Sequence, residues 1–482
     1  MTLLLGIDEG TSAVKAVLYD SELRPLAEAR REKRLSYPRS GWVEQDATEV
    51  LTAVVDAVGE LLASADEPVT ACGLDHQGES VLAWDADTGR PLTPIVTWQD
   101  KRSQEVLDRL ETGGKEEEIR TRSGMPLDPY FSAGKLAWLL EHDTTVQRAF
   151  EGGTLRMGTV DSFLSDRLGA GFATDPSTAS RTQLGSPQWD PALLELFGVP
   201  AGVLPAIAET AGELGTLRHE SWSQELPLRA RCVDQQAALA GAGCVRPGLV
   251  KATYGTGVFV LAHAGDARPT PGGGLLPTVA WSVNDRLEWA IDGGVFTAGA
   301  LLDWLSRDLG LARDPAALAA AAMTVDDAGG VKVLPALAGV GAPWWKPDAR
   351  AVIAGLSASV RPAHVARAAL ESVAWRVADI VSVIQETVPV QVLRVDGGMT
   401  RDPTLLQLQA DAAGVTVQRG LLDATAAGAA ALAAVGAGVW RSTLEIEERI
   451  PAGERFEPRR DAQWRATAHS DWRTFVKRAA EL

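Results

Sequence analysis

The chain writes one short pattern twice. Leu3 to Ile7 is an apolar run, the turn Asp8-Glu9-Gly10-Thr11-Ser12 follows, and Val14 to Tyr19 is a second run. Near mid-chain, Val250 to Tyr254, then Gly255-Thr256-Gly257, then Val258 to Ala262 repeat strand, Gly-Thr turn, strand. Runs of β-branched and large apolar residues broken by glycine read as strands joined by tight turns. One such turn is common by chance. Two of them, half a chain apart, predict a duplicated domain.

Length agrees with duplication, since 482 residues are too many for one core. Glycine and proline cluster at Gly241 to Gly248, which predicts domains at 1–243 and 244–482. Helical patterns alternate with strands, so the class is α/β. Ala47 to Ala63 has helical apolar spacing, with Asp46 or Thr48 as its cap. A third glycine turn, Asp396-Gly397-Gly398, lies between a strand at Gln391 to Val395 and a helix at Leu405 to Ala413. Ala424 to Val439 is Ala/Gly-rich and reads as a buried helix, being short for a bilayer span.

A formal charge of −17 argues against a nucleic-acid partner, which needs clustered Lys and Arg. Cys72, Cys232 and Cys244 show no zinc spacing and read as small buried residues of a reducing compartment. With no basic leader and no membrane span, a cytoplasmic protein is expected.

Three constellations carry chemistry. Turns containing Gly10, Thr11 and Ser12, or Gly255, Thr256 and Gly257, aim backbone N–H groups and hydroxyls at one point, as phosphate requires. Asp8 beside the first turn reads either as a capping carboxylate or as a Mg²⁺ ligand acting through water. Asp234 ends a strand where Gln235 starts a helix. That is a routine cap, and equally the place where a general base projects in α/β folds. The polar turn Asp75-His76-Gln77-Gly78-Glu79-Ser80 joins two apolar strands, with Trp98, Tyr130 and Phe259 as aromatic candidates. His76 reads either as a site residue or as a satisfied structural histidine.

These stretches together resemble the FGGY family of carbohydrate kinases, nearest its glycerol-kinase members. The resemblance runs from about Leu4 to about Trp440. It is carried by Tyr130 to His142, by Ala351 to Leu356 with His364 to Glu371, and by shorter blocks at Gly41 to Asp46, Asp175 to Arg181 and Gly341 to Trp345. It implies two ribonuclease-H-like (actin/Hsp70-type) domains around a central catalytic cleft. It implies ATP and Mg²⁺, and a homo-oligomer, dimer or tetramer. Thr11, Ser12 and Lys15 then fall near the transferred phosphate. Gly255, Thr256, Gly257, Gly299, Gly397, Gly398 and Asp402 fall on the nucleotide. Asp8 and Asp234 fall on the metal. Asp234 becomes the catalytic base, with Gln235, Glu79, Trp98, Tyr130, Phe259 and His76 around the acceptor.

One position departs from the pattern. The glycerol-kinase members write the polar turn Asn-Gln-Arg-Glu-Thr, whereas this chain has Gly78 at the arginine. The expectation is a Glu79 without its charge partner and a pocket opened for an acceptor larger than glycerol, unless another arginine such as Arg102 swings in. A ketose kinase of the same family is the second expectation, and a non-catalytic actin-like regulator the third.

Overall fold

The computed structural model describes residues 2–421, 423–451 and 453–482. The chain divides into two compact units. One holds Met1–Gly241, Thr278–Trp289 and Ala424–Arg449, and the other holds the remainder. Two contiguous halves, 1–243 and 244–482, are therefore corrected: two stretches of the second half belong to the first unit. The physical reason is visible in the helix Ala424–Gly436. Its small side chains let its backbone press on glycines of the first unit. A Cβ on Gly6 would stand 2.0 Å from the Ala426 carbonyl oxygen, and one on Gly73 2.0 Å from that of Ala429. Gly6 and Gly73 are register partners, so helix and sheet meet along a glycine seam.

The first unit is built on a six-stranded sheet. Its order is Thr216–Leu217, Leu226–Val233, Val69–His76, Leu3–Glu9, Ala13–Tyr19 and Pro25–Glu32. Leu3–Glu9 forms an antiparallel hairpin with Ala13–Tyr19 and runs parallel to Val69–His76, which runs parallel to Leu226–Val233. Burial of Leu5, Ile7, Val14 and Leu74 in one cluster with the helix Ala47–Ser64 holds the sheet's face. Asp46 caps that helix, accepting from Thr48 N at 2.7 Å and Glu49 N at 3.1 Å.

The second unit repeats the arrangement. Gly248–Tyr254 pairs antiparallel with Val258–Gly265 and parallel with Val390–Asp396, which runs parallel to Thr416–Arg419. Each unit thus has a hairpin followed by parallel strands, the ribonuclease-H-like pattern, with its Gly-Thr turn at the hairpin's tip.

Candidate active site

Parallel sheets bind ligands beyond the carboxyl ends of their strands. In the first unit three neighbouring strands end in acids. Register sets Asp8 opposite Asp75, and Asp75 opposite Cys232, two residues before Asp234. Burial lifts the Asp8 carboxyl to about 6, against the opposing pull of Lys15, its register partner, and Lys33. Burial and the charges of Asp8 and Asp234 push Asp75 well above the usual carboxylate range. Asp75 is fully buried, and its carboxyl shares a side-chain hydrogen bond with Asp8, which lowers Asp8 and raises Asp75. Sequence reading saw Asp75 only as part of a polar turn. Its place between Asp8 and Asp234 depends on strand order, which no local signal carries.

The polar turn leaves this sheet and enters a second one through Val81–Asp85. Gln77 anchors it: its backbone N donates to Glu9 O at 2.8 Å, and its Nε2 to Gln45 Oε1 at 2.7 Å. Gln45 Nε2 in turn donates to Thr11 O at 2.7 Å. A second relay runs from Ser80 Oγ, which accepts from Trp98 N at 3.1 Å, to Trp98 Nε1, which donates to Thr11 Oγ1 at 3.0 Å. The turn and the first Gly-Thr loop are therefore one hydrogen-bonded body. Trp98 meets Tyr130 edge to face, with ring centroids 5.8 Å apart.

Glu79 stands at the turn's apex with φ +60°, and Ser80 N donates across it to Gly78 O at 2.8 Å, closing a γ-turn. A left-handed glutamate persists only where its surroundings over-determine it. Ser132 Oγ donates to Glu79 O at 3.2 Å, and Arg181 Nε donates to Glu79 Oε1 at 2.6 Å. Burial raises the Glu79 carboxyl, Arg181 pulls it down, and the Asp234 charge pushes it up.

Four expectations change here. Glu79 has a charge partner, and it is Arg181. Arg102 does not swing in: it is held by Asp100 at 2.8 Å and Glu44 at 2.7 Å, stacked 3.8 Å over Trp42. Gly78 does not open space at its own Cβ, because a Cβ there would meet Val233 Cγ1 at 2.9 Å. His76, expected among the acceptor residues, is enclosed. Its Nδ1 lies 3.0 Å from Gln77 O and its Nε2 2.9 Å from Thr178 Oγ1. It is a satisfied structural histidine. Lys15 forms an ion pair with Glu28 at 3.0 Å, while Ser12 is exposed and Gly10 N closes its loop on Ala13 O at 3.1 Å. Asp234 and Gln235 are half-buried at the strand–helix junction, and Asp234 Oδ1 accepts from Gln235 N at 2.7 Å. Phe259 belongs to the second unit, opposite Thr253 in the hairpin.

In the second unit a cavity of about 660 Å³ is lined by Gly255, Thr256, Gly299, Gly398 and Asp402, with Leu302, Ala319 and Met323 supplying apolar walls. Gly257 and Gly397, expected on the nucleotide, are not in this lining. They are glycines for closure: a Cβ on Gly257 would lie 2.4 Å from Val295 O, and one on Gly397, at φ +92°, 2.4 Å from Tyr254 O. Asp402 caps the helix Pro403–Ala413, its Oδ1 accepting from Thr404 N at 2.9 Å. Its other oxygen is buried with no partner among the described residues.

A duplicated sheet with acids at its strand ends, and glycine loops around an apolar-walled cavity, define a phosphotransferase of the actin/ribonuclease-H class. Within that class the family is definite. Models of the FGGY family of carbohydrate kinases match the chain in their N-terminal domain over residues 3–241 and in their C-terminal domain over 250–437. The chain belongs to this family and is an ATP-dependent kinase. It is 40% identical to a glycerol kinase of Geobacter sp. (strain M21), over 99% of this chain and 98% of that one. It is also 40% identical to one from Alkalilimnicola ehrlichii, with the same coverage. The Plasmodium falciparum glycerol kinase solved with ADP superposes with a TM-score of 0.94 at 28% identity, covering 99% of this chain and 98% of that one. A ligand-bound xylulose kinase from Lactobacillus acidophilus, at TM-score 0.87 and 20% identity, shares the fold, covering 99% of each chain.

Proposed function

We propose that the chain transfers the γ-phosphoryl group of ATP to a primary hydroxyl of glycerol. The acceptor oxygen attacks phosphorus, the bond to ADP breaks, and Asp234 takes the hydroxyl's proton. A loose, anionic transition state needs alignment and charge neutralisation more than covalent help. Glu79, Tyr130, Trp98 and Gln235 bind the acceptor in this reading, and the Gly10–Ser12 loop supplies N–H and hydroxyl donors to the phosphoryl oxygens. Phe259 completes the acceptor set. The cavity at Gly255, Thr256, Gly299, Gly398 and Asp402 takes the nucleotide.

The observation that carries the reading is the buried Glu79, held by Arg181 at 2.6 Å in a turn that is hydrogen-bonded through Ser80 and Trp98 to Thr11. A carboxylate that accepts hydrogen bonds from hydroxyls thus has a fixed counter-charge and a fixed place beside the first Gly-Thr loop. Asp8 and Asp234 would hold a hard divalent cation through water rather than directly, since the described residues bring no three acids together as ligands. When bound, Mg²⁺ would supply neutralisation of phosphate charge. A homo-oligomer in the cytoplasm is part of the same proposal.

The test is ADP release with ATP and Mg²⁺ across glycerol, erythritol, pentitols, xylulose, ribulose and dihydroxyacetone. A kcat/KM for glycerol exceeding the rest by tenfold or more is expected. Preference for a pentose or pentitol would replace glycerol with the longer acceptor, and an acceptor-independent rate would remove the kinase reading.

A further inference from the structure

Arg181 has no role assigned so far beyond its contact with Glu79, and its setting asks for one. It follows the short helix Pro176–Ser180, which is tied down on several sides. Asp175 caps it, accepting from Ser177 N at 3.0 Å and Thr178 N at 2.9 Å, and Thr210 Oγ1 fixes Asp175 Oδ2 at 2.6 Å. Ser180 Oγ lies 2.9 Å from Thr278 Oγ1, and Thr178 Oγ1 meets His76. The guanidinium is therefore delivered from a rigid element. It is 5% exposed, and its Cζ stands 5.7 Å from the ring centres of both Tyr130 and Phe131. A planar fork in that position orients a carboxylate and stacks on an aromatic wall together, which an ammonium cannot do.

Gly78 and Val233 complete the picture. The contact at 2.9 Å means that position 78 carries no side chain while Val233 stays in place. The charge partner of Glu79 is Arg181, which lies outside the turn.

We propose that Arg181 is a positioning residue of the acceptor site: it aims Glu79 at the acceptor's hydroxyls and backs Tyr130. This rests on the phosphotransfer reading. A purely structural ion pair would hold the fold and leave acceptor affinity no more affected than nucleotide affinity.

Steady-state kinetics on Arg181→Met and Arg181→Lys, with glycerol and ATP varied separately, decide the matter. Losing a charged hydrogen bond at the acceptor predicts a glycerol KM raised roughly ten- to a hundredfold in Arg181→Met. The ATP KM stays within about twofold, and Arg181→Lys recovers part of the loss. Adding Gly78→Arg with Val233→Gly to Arg181→Met should restore at least part of the glycerol affinity. Unchanged glycerol KM overturns the proposal, and so does a parallel rise of both KM values with a fall in thermal midpoint. If Arg181→Met does not fold, Arg181→Lys decides by the same split between the two substrates. A wild-type protein that releases no ADP with any acceptor removes the kinase reading instead. Glycerol binding by calorimetry then still tests Arg181, and equal affinity in wild type and Arg181→Lys overturns it.

Discussion

The two units hold their sites with different materials. In the first, side chains do the holding: Glu79 is fixed by Arg181, Thr11 by Trp98 and Gln45, and Asp8 lies beside Asp75. In the second, backbone does it. Gly299 N donates to Gly255 O at 3.1 Å, Ala298 N to Thr256 O at 2.9 Å, and the loops close where no Cβ is present. A side-chain site can receive the same functional group from distant points of the chain, as Arg181 shows by reaching Glu79 across 102 positions. A backbone site is tied to the positions that lack a Cβ.

The largest test of this contrast is Asp234→Asn. General-base removal costs roughly 10²- to 10⁴-fold in turnover. ATP affinity should fall far less than turnover, because Asp234 is not in the lining of the nucleotide cavity. Near-wild-type kcat would remove Asp234 as the base. Next comes Gly257→Ala. Its Cβ would sit 2.4 Å from Val295 O, which nothing flexible can relieve. A loss of about 1–3 kcal/mol of stability and a marked rise in ATP KM are expected, with glycerol KM unmoved. Equal damage to both substrates would blur the division between side-chain and backbone sites. Asp402→Ala is milder: loss of the cap costs about 1 kcal/mol, read as a shift of a few degrees in Tm, with ATP KM following it. An unchanged Tm would mean the cap contributes nothing.

The same contrast explains what the sequence made legible. Strands announced themselves by apolar runs, and glycines marked the loops at Gly255 and Gly398, while Gly299 entered only through the family resemblance. The strand expected at Leu3 to Ile7 continues to Glu9, because pairing with Val69–His76 carries polar residues that no apolar count would include. Arg181 lay inside a recognised block yet had no readable role, since its partner is far away in sequence. Arg102 was the nearer arginine to choose, but Asp100, two residues before it, holds it locally. The burial of Ala424–Gly436 was legible from its composition. The unit it packs into was not, because small residues signal close approach without naming the partner.

The smallest expected effect concerns Lys135, which sharpens the side-chain half of the comparison. It is fully buried, and its Nζ donates to Tyr130 O at 2.5 Å and Phe131 O at 3.2 Å, so it shapes the aromatic wall from beneath. Burial pulls its ammonium down to about 7, against the attraction of Glu79 and Asp100. The unfolded chain keeps the ordinary value of 10.5. Between pH 7 and 10.5 the unfolded state therefore binds more protons than the folded one, and this residue's contribution makes stability rise with pH across that window. Below pH 7 both states are protonated, and the burial penalty is present in full. Lys135→Met keeps the bulk and removes the titration. Thermal midpoints measured from pH 6 to pH 10 should climb more steeply for wild type than for the variant, with the divergence starting near 7. Glycerol KM should shift modestly through Tyr130 while ATP KM stays flat. Parallel curves would mean that the ammonium stays charged throughout. The wall at Tyr130 and Phe131 would then be held by an ion balanced against Glu79, so that Arg181 and Lys135 share one carboxylate.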